Sequence, residues 1–201
     1  MAQKPDQIGR EILPIPDRPS KGKMALDARK AEFPAIEPLR PPKGAPNVVI
    51  VLIDDMGFGA PSANGGPCYM PAMEKVAARG LQYNRFHTTA LCSPTRQALL
   101  TGRNHHSAGM GSVAEVATGA PGNDSVRPNT VATVAEMLRL NGYSTGAVGK
   151  MHQTPVWEVS MSGPFDRWPT GDGFEKFYGF VGGETNQWAP TLYLGNYPTE
   201  P

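Results

Sequence analysis

Val48-Val49-Ile50-Val51-Leu52-Ile53 is a run of six apolar residues, most of them β-branched, that follows Pro46 and ends at the acidic pair Asp54-Asp55. Uninterrupted apolar runs of this length are typical of strands that are covered on both faces, as in parallel sheets. We therefore expect a buried strand over residues 48–53, with the two carboxylates at its carboxyl end.

Three helices are expected after this run. The first covers residues 71–79, where Gly80 follows, and the second covers residues 94–101, with Pro94 in its first turn. The third begins after Thr130 and ends at Gly142. Apolar residues recur on one face of this third helix at the helical spacing, namely Val131, Val134, Ala135 and Leu138.

Two further strands are expected between and after these helices, over residues 81–86 and 143–148. Alternating strands and helices are typical of the α/β class. The sequence therefore predicts a mostly parallel sheet sandwiched by helices. Ligands bind such sheets at the carboxyl ends of the strands.

Proline is concentrated at the start of the chain, because nine of the 21 prolines lie before Asn47. Proline interrupts both helix and strand, so we interpret residues 1–46 as a Pro-rich extended arm with at most a short helix over residues 25–31. Residues 47–201 contain the regular helix and strand patterns. Within that region, residues 157–201 are rich in aromatic residues, glycine and proline, and we expect them to consist mostly of loops.

Composition and charge exclude several classes of partner. The chain of 201 residues has 19 Lys and Arg against 18 Asp and Glu, a net charge of +1, which gives no reason to expect nucleic acid or an anionic membrane as a partner.

The first 30 residues lack the apolar segment of a signal peptide, and no stretch is long enough to span a bilayer. We therefore expect a soluble, cytoplasmic protein. Two cysteines, Cys68 and Cys92, do not form a disulfide framework in a chain of this size.

Charged residues follow two of the predicted strands. Asp54 and Asp55 are either solvated turn residues or ligands of a cation, since adjacent carboxylates repel one another unless a cation lies beside them. Lys150 and His152 follow the strand over residues 143–148, and their spacing of two places them on the same side of an extended segment. They are either solvent-facing or part of a site at the same edge of the sheet.

Cys92 begins the tract Cys92-Ser93-Pro94-Thr95-Arg96. A free cysteine is usually a small buried apolar residue, and it can also be a thiolate nucleophile beside a histidine. Neither interpretation explains a proline and an arginine two and four positions later. A third interpretation is a cysteine held for covalent modification. Arg96 lies one helical turn beyond Cys92, so it can reach an anion bound at the helix N-terminus.

Four tracts together resemble the type I sulfatases, the formylglycine-dependent members of the alkaline phosphatase superfamily, and in particular the bacterial arylsulfatases. They are N-V-V-I-V-L-I-D-D-M-G-F-G at residues 47–59, C-S-P-T-R-x-x-L-L-T-G-R at residues 92–103, G-K-x-H at residues 149–152 and G-F-x-x-F-Y-G-F at residues 173–180. The resemblance implies that residues 47–201 are the N-terminal part of a sulfatase catalytic domain, with an alkaline phosphatase/sulfatase-like fold.

The same resemblance implies a reaction and a role for each site residue. A maturation enzyme oxidises Cys92 to formylglycine, whose hydrate attacks the sulfur of a sulfate ester; the alcohol leaves, and the second hydroxyl of the hydrate then expels sulfate. Asp54, Asp55 and residue 92 are implied as ligands of a divalent cation, Ca²⁺. Arg96, Lys150 and His152 are implied as catalytic residues that bind the sulfate oxygens.

Two alternatives to an active sulfatase remain open. Relatives in the same superfamily use the same modified cysteine on phosphonate or phosphate esters, and nothing before Pro201 separates these substrates. The chain is also expected to be a truncated N-terminal fragment, because the family takes an Asp-Asn pair, a further His and a further Lys from later in the sequence. A fragment without those groups would be inactive or would bind metal weakly.

Overall fold

The computed structural model describes residues 22–201. Contacts within the chain separate a unit that ends at Asn47 from a unit over Val48–Pro201. In residues 22–47, a 3-10 helix over Ala28–Lys30 is capped by the Asp27 carboxylate, which accepts a hydrogen bond from the Arg29 N–H. The helix expected over residues 25–31 is therefore a single turn. The Pro-rich arm over residues 1–46 stays a prediction.

Three α-helices in the second unit lie close to the predicted positions: α1 over Pro71–Ala77, α2 over Cys92–Thr101 and α3 over Val134–Arg139. Helix α2 ends at Gly102, whose φ of 64° is a left-handed conformation that glycine adopts readily. Helix α3 begins later than predicted because Thr133, and not Thr130, accepts the hydrogen bond from the Glu136 N–H.

Short 3-10 helices lie between these elements, over Ser62–Asn64, His106–Ala108, Ala114–Val116 and Val156–Glu158.

The sheet has four strands in the order β1-β2-β3-β4: Gly146–Lys150, Lys176–Phe180, Leu192–Leu194 and Tyr197–Thr199. Strands β1 and β2 are parallel, with Gly146 opposite Lys176 and Lys150 opposite Phe180. The pairs β2-β3 and β3-β4 are antiparallel, so the sheet is mixed. The predicted α/β class is confirmed, whereas the prediction that residues 157–201 are mostly loop missed β2, β3 and β4.

The strands predicted over residues 48–53 and 81–86 are absent from the described structure. Side chains of residues 48–53 are 41–84% exposed, and none of the strands in the sheet pairs with them. Strand formation depends on backbone hydrogen bonds to a neighbouring strand, and an apolar run supplies only the side chains for one. The local pattern was that of a buried strand, but the pairing that would complete it does not form.

A compact core supports the end of β1. It consists of the buried residues Met151, Trp168, Phe177, Val181 and Tyr193. The Trp168 indole N–H donates to the Glu158 carbonyl oxygen at 2.7 Å, so the largest buried side chain has its polar atom satisfied. The Met151 N–H donates to the Phe180 carbonyl oxygen at 3.1 Å, which extends the β1-β2 pairing by one residue and fixes where His152 leaves the sheet.

None of the helices among residues 22–201 has the length and apolar character needed to cross a membrane.

Candidate active site

Cys92 is the first residue of α2, and its thiol lies beside His152. Leu91 is extended, and Pro94 lies in the first turn, where a missing N–H leaves no hydrogen bond unmade, so the helix begins at Cys92. Cys92 Sγ is 2.9 Å from His152 Nδ1, although 60 positions separate the two residues. The Cys92 side chain therefore lies both at the partial positive charge of the α2 N-terminus and beside an imidazole nitrogen.

His152 is held in an uncommon backbone conformation just beyond β1. Its φ is 53°, a left-handed value that non-glycine residues adopt rarely and mostly where surrounding contacts impose it. The imidazole side chain is 5% exposed. Its Nδ1 faces Cys92, and its Nε2 lies 2.7 Å from Glu115 Oε2. Both ring nitrogens are therefore engaged, each by a different side chain.

Arg96 and Lys150 converge on the Asp54 carboxylate. Arg96 Nη2 donates to Asp54 Oδ1 at 3.0 Å, and Lys150 Nζ donates to Asp54 Oδ2 at 2.6 Å. Arg96 Nη1 also donates to the Lys150 carbonyl oxygen at 2.6 Å, which ties α2 to the end of β1. Partial burial acts to raise the pKa of Asp54, but the hydrogen bonds and charges of Lys150 and Arg96 outweigh burial and hold that pKa below its ordinary value. Asp54 is therefore ionised and orients two cations.

The acidic pair opens onto a cleft of about 920 Å³ that Cys92 and Arg96 also line. Carboxylate oxygens are the ligands that hard divalent cations prefer, so Asp54 and Asp55 fit one side of a Ca²⁺ shell. Such a shell takes about six to eight oxygens. Within residues 22–201, no group of three or more His, Cys, Asp or Glu side chains is arranged to hold a metal ion. The described residues thus supply part of a cation shell, and the ligand set Asp54, Asp55 and Cys92 stays a prediction.

Most of the predicted site residues come together in the structure. Hydrogen bonds join Cys92 to His152, and join Asp54 to both Arg96 and Lys150. Their chemical roles stay predictions.

Glu115 is a further residue of this site that the sequence patterns did not indicate. It lies in the 3-10 helix Ala114–Val116, outside the motifs at residues 47–59, 92–103, 149–152 and 173–180. Nothing in its local pattern distinguishes it from a surface glutamate, because its contact with His152 arises only through tertiary structure.

Comparison with known proteins assigns a family to this arrangement. Residues 46–200 match the family model described as Sulfatase. The chain belongs to the sulfatase family. This sulfatase chain is 32% identical to an arylsulfatase of Klebsiella aerogenes over 152 residues, which are 75% of the chain and 31% of the relative. It is 37% identical to arylsulfatase A of Homo sapiens over 136 residues, which are 67% of the chain and 25% of the relative.

A solved structure has a similar fold. The crystal structure of Ps i-CgsB superposes with a TM-score of 0.52 at 25% sequence identity, and the match covers 74% of this sulfatase chain and 36% of the other. The family membership predicted from the four tracts is thereby confirmed. The chain spans about a quarter to a third of the length of the two arylsulfatases it matches.

Proposed function

We propose that this sulfatase chain contributes the nucleophile and the sulfate-binding cations of an arylsulfatase, which hydrolyses sulfate esters through a formylglycine made from Cys92. One observation carries the proposal: Cys92, at the N-terminus of α2, lies 2.9 Å from His152 at the end of β1. Two cationic side chains, Arg96 and Lys150, lie at the same junction, where Arg96 donates to the Lys150 carbonyl oxygen. An anionic sulfate group needs such a concentration of positive charge.

Lys150 and Arg96 have different parts in binding sulfate. The Lys150 ammonium has three donors, and one of them bonds to Asp54. Among residues 22–201 the other two donate no side-chain hydrogen bond, so they can turn toward a sulfate oxygen. Arg96 is anchored by hydrogen bonds to Asp54 and to the Lys150 carbonyl oxygen. It therefore adds fixed charge and keeps Lys150 in place. The helix dipole of α2 favours an anion at the same position.

His152 is the residue that moves a proton. In this structure Cys92 Sγ marks the place of the oxygen atoms that the modified side chain carries. Formylglycine supplies, in its hydrate, one hydroxyl for attack on sulfur and a second for release of sulfate. His152 Nδ1 would accept the proton of the second hydroxyl, and the electron pair of that O–H bond would form the aldehyde C=O bond. The C–O bond to sulfate would break at the same time, and both electrons of that bond would leave with sulfate.

Asp54 and Asp55 are the residues that would hold a divalent cation, which we assign as Ca²⁺ from the oxygen ligands they offer. Such a cation supplies positive charge that lowers the pKa of a neighbouring hydroxyl. The proposal also requires a formylglycine-generating maturation enzyme as a partner. The cytoplasmic location stays a prediction.

Turnover of paired substrates by matched cysteine variants tests the proposal. The chain, within an enzyme that supplies the remaining oxygen ligands of the cation, is co-expressed with the maturation enzyme, supplied with Ca²⁺ and assayed on an aryl sulfate and on an aryl phosphonate. We expect hydrolysis of the sulfate, loss of that activity in Cys92→Ala, and unchanged activity in Cys68→Ala, whose thiol is free and exposed. Preference for the phosphonate, or activity that survives in Cys92→Ala, would contradict the proposed function.

A further inference from the structure

We propose that Glu115 is a positioning residue, whose carboxylate fixes the His152 ring with its proton on Nε2 and so presents the Nδ1 lone pair to residue 92. The catalytic consequence rests on the proposed function, whereas the ring orientation and tautomer do not.

The donor and acceptor inventory of the two side chains dictates this tautomer. A neutral imidazole has one N–H donor and one acceptor nitrogen, and an ionised carboxylate only accepts. Glu115 Oε2 lies 2.7 Å from His152 Nε2, so Nε2 must carry the proton. The nitrogen facing Cys92 Sγ at 2.9 Å is then the acceptor Nδ1. The opposite tautomer would place two acceptors against one another at Glu115.

Glu115 is ionised in this arrangement. Partial burial acts to raise the pKa of Glu115, but hydrogen bonds from His152 and from backbone N–H groups, including that of Gly183, outweigh burial and hold the pKa below its ordinary value. The carboxylate therefore keeps its acceptor character at neutral pH.

Gly183 lies close against the His152 ring and the Glu115 carboxylate. A Cβ atom added at Gly183 would lie 2.6 Å from His152 Cε1, 2.7 Å from His152 Nε2 and 3.1 Å from Glu115 Oε1. These distances are shorter than van der Waals contact. The imidazole is thus confined by Cys92 at one nitrogen, Glu115 at the other and the Gly183 backbone along its edge, so its orientation is set by its surroundings.

A role in stability alone does not account for this geometry. The Glu115 side chain is 47% exposed, and ion pairs that accessible to solvent contribute little to folding. A carboxylate behind the base of a catalytic pair has a different effect, because it selects the tautomer and stabilises the imidazolium that forms when the base accepts a proton. Loss of Glu115 should therefore change His152 far more than it changes the stability of the fold.

Nitrogen-15 NMR of the full chain with labelled histidine tests the inference without requiring activity. Spectra are recorded at about pH 8.5, roughly two units above the reference histidine pKa. The His152 signals are assigned by their loss in His152→Asn. We expect one tautomer in the wild type, protonated on Nε2, and a mixture in Glu115→Ala. Glu184→Ala removes an exposed glutamate that follows Gly183 in the sequence and should match the wild type. The same tautomer in Glu115→Ala and wild type would overturn the inference.

Kinetics of the matured chain, assayed within an enzyme that supplies the remaining oxygen ligands of the cation, separate this inference from the proposed function. On an aryl sulfate, Glu115→Ala should lower kcat by about 10²-fold and leave KM nearly unchanged, because a misaligned base slows the reaction without removing a sulfate contact. Glu115→Asp should recover part of the rate. An unchanged kcat in Glu115→Ala would refute the catalytic consequence. A wild-type chain without sulfatase activity would contradict the proposed function, and the NMR result would still decide the role of Glu115.

Discussion

Replacing Gly183 by alanine should displace the His152 ring and slow sulfate ester hydrolysis by about 10²-fold. The new Cβ would lie 2.6 Å from His152 Cε1, whereas unstrained carbon contacts are about 3.5–4.0 Å, so the ring must retreat by about 1 Å. Cys92 and Glu115 lie against its two nitrogens, so a retreat of the ring must lengthen or bend one or both of these contacts. A misplacement of about 1 Å costs on the order of 10²-fold in rate, or about 2.7 kcal/mol of activation free energy.

Gly182→Ala is the matched control for this prediction. A Cβ at Gly182 would meet only the Glu184 carbonyl oxygen, at 3.9 Å, which is an ordinary contact. Neither glycine has a positive φ, so alanine imposes no backbone strain at either position. The assay is kcat on an aryl sulfate, with the free energy of unfolding in urea measured in parallel; overpacking should lower the latter by about 1–3 kcal/mol in Gly183→Ala. Equal rates and equal unfolding free energies in the two variants would refute the reasoning.

Three further predictions concern the stability contributions of Trp168, Arg96 and Asp172. Trp168→Ala removes the largest buried side chain and should lower the free energy of unfolding in urea by about 3–5 kcal/mol; a loss below about 1 kcal/mol would contradict the core described above. Arg96→Lys cannot reproduce both hydrogen bonds of the guanidinium and should lower the free energy of unfolding in urea by about 1–3 kcal/mol. Arg103→Lys, at an exposed position, should change that free energy by less than about 0.5 kcal/mol. Equal losses in the two variants would argue against the anchoring role of Arg96. Burial raises the pKa of Asp172 from 3.8 to about 6, so the folded state binds the proton more tightly than the unfolded state does. The free energy of unfolding should therefore fall by at most roughly 3 kcal/mol as the pH rises from about 4 to 6. The same slope of unfolding free energy against pH in Asp172→Asn would exclude Asp172 as the cause.

Helix α2 could be predicted from the sequence because its signals are local. Pro94 suits the first turn, and Gly102 provides the left-handed residue that ends the helix, so both ends are encoded within a dozen residues. Whether residues 48–53 form a strand could not be predicted from local signals. Their apolar pattern describes what a buried strand needs from its side chains, but a strand also needs a partner, and partners are distant in sequence.

Some features of the candidate site could likewise be predicted from local sequence, and others depend on tertiary contacts. Cys92, Arg96, Lys150 and His152 stand in tracts whose spacing could be recognised, and the structure brings them together with Asp54. The shared use of the Asp54 carboxylate by two cations could not be predicted, because it depends on how α2 lies against the end of β1.

Glu115 and Gly183 illustrate what sequence patterns leave out. One is a glutamate in a short 3-10 helix, and the other is a glycine after β2; neither has a local feature that marks it. Their significance comes from a single ring, His152, which one of them binds and the other leaves room for. Residues such as these, which act on the orientation of His152, can be identified only once the contacts of His152 are known.

The mass of the peptide that contains residue 92 tests the central claim most directly. Conversion of the thiol to the formylglycine aldehyde lowers the mass by about 18 Da. After co-expression with the maturation enzyme, we predict this loss in the peptide containing Cys92 and an unchanged mass in the peptide containing Cys68, the other free cysteine. An unmodified thiol at Cys92 under these conditions would contradict the assignment of this residue as the precursor of the nucleophile.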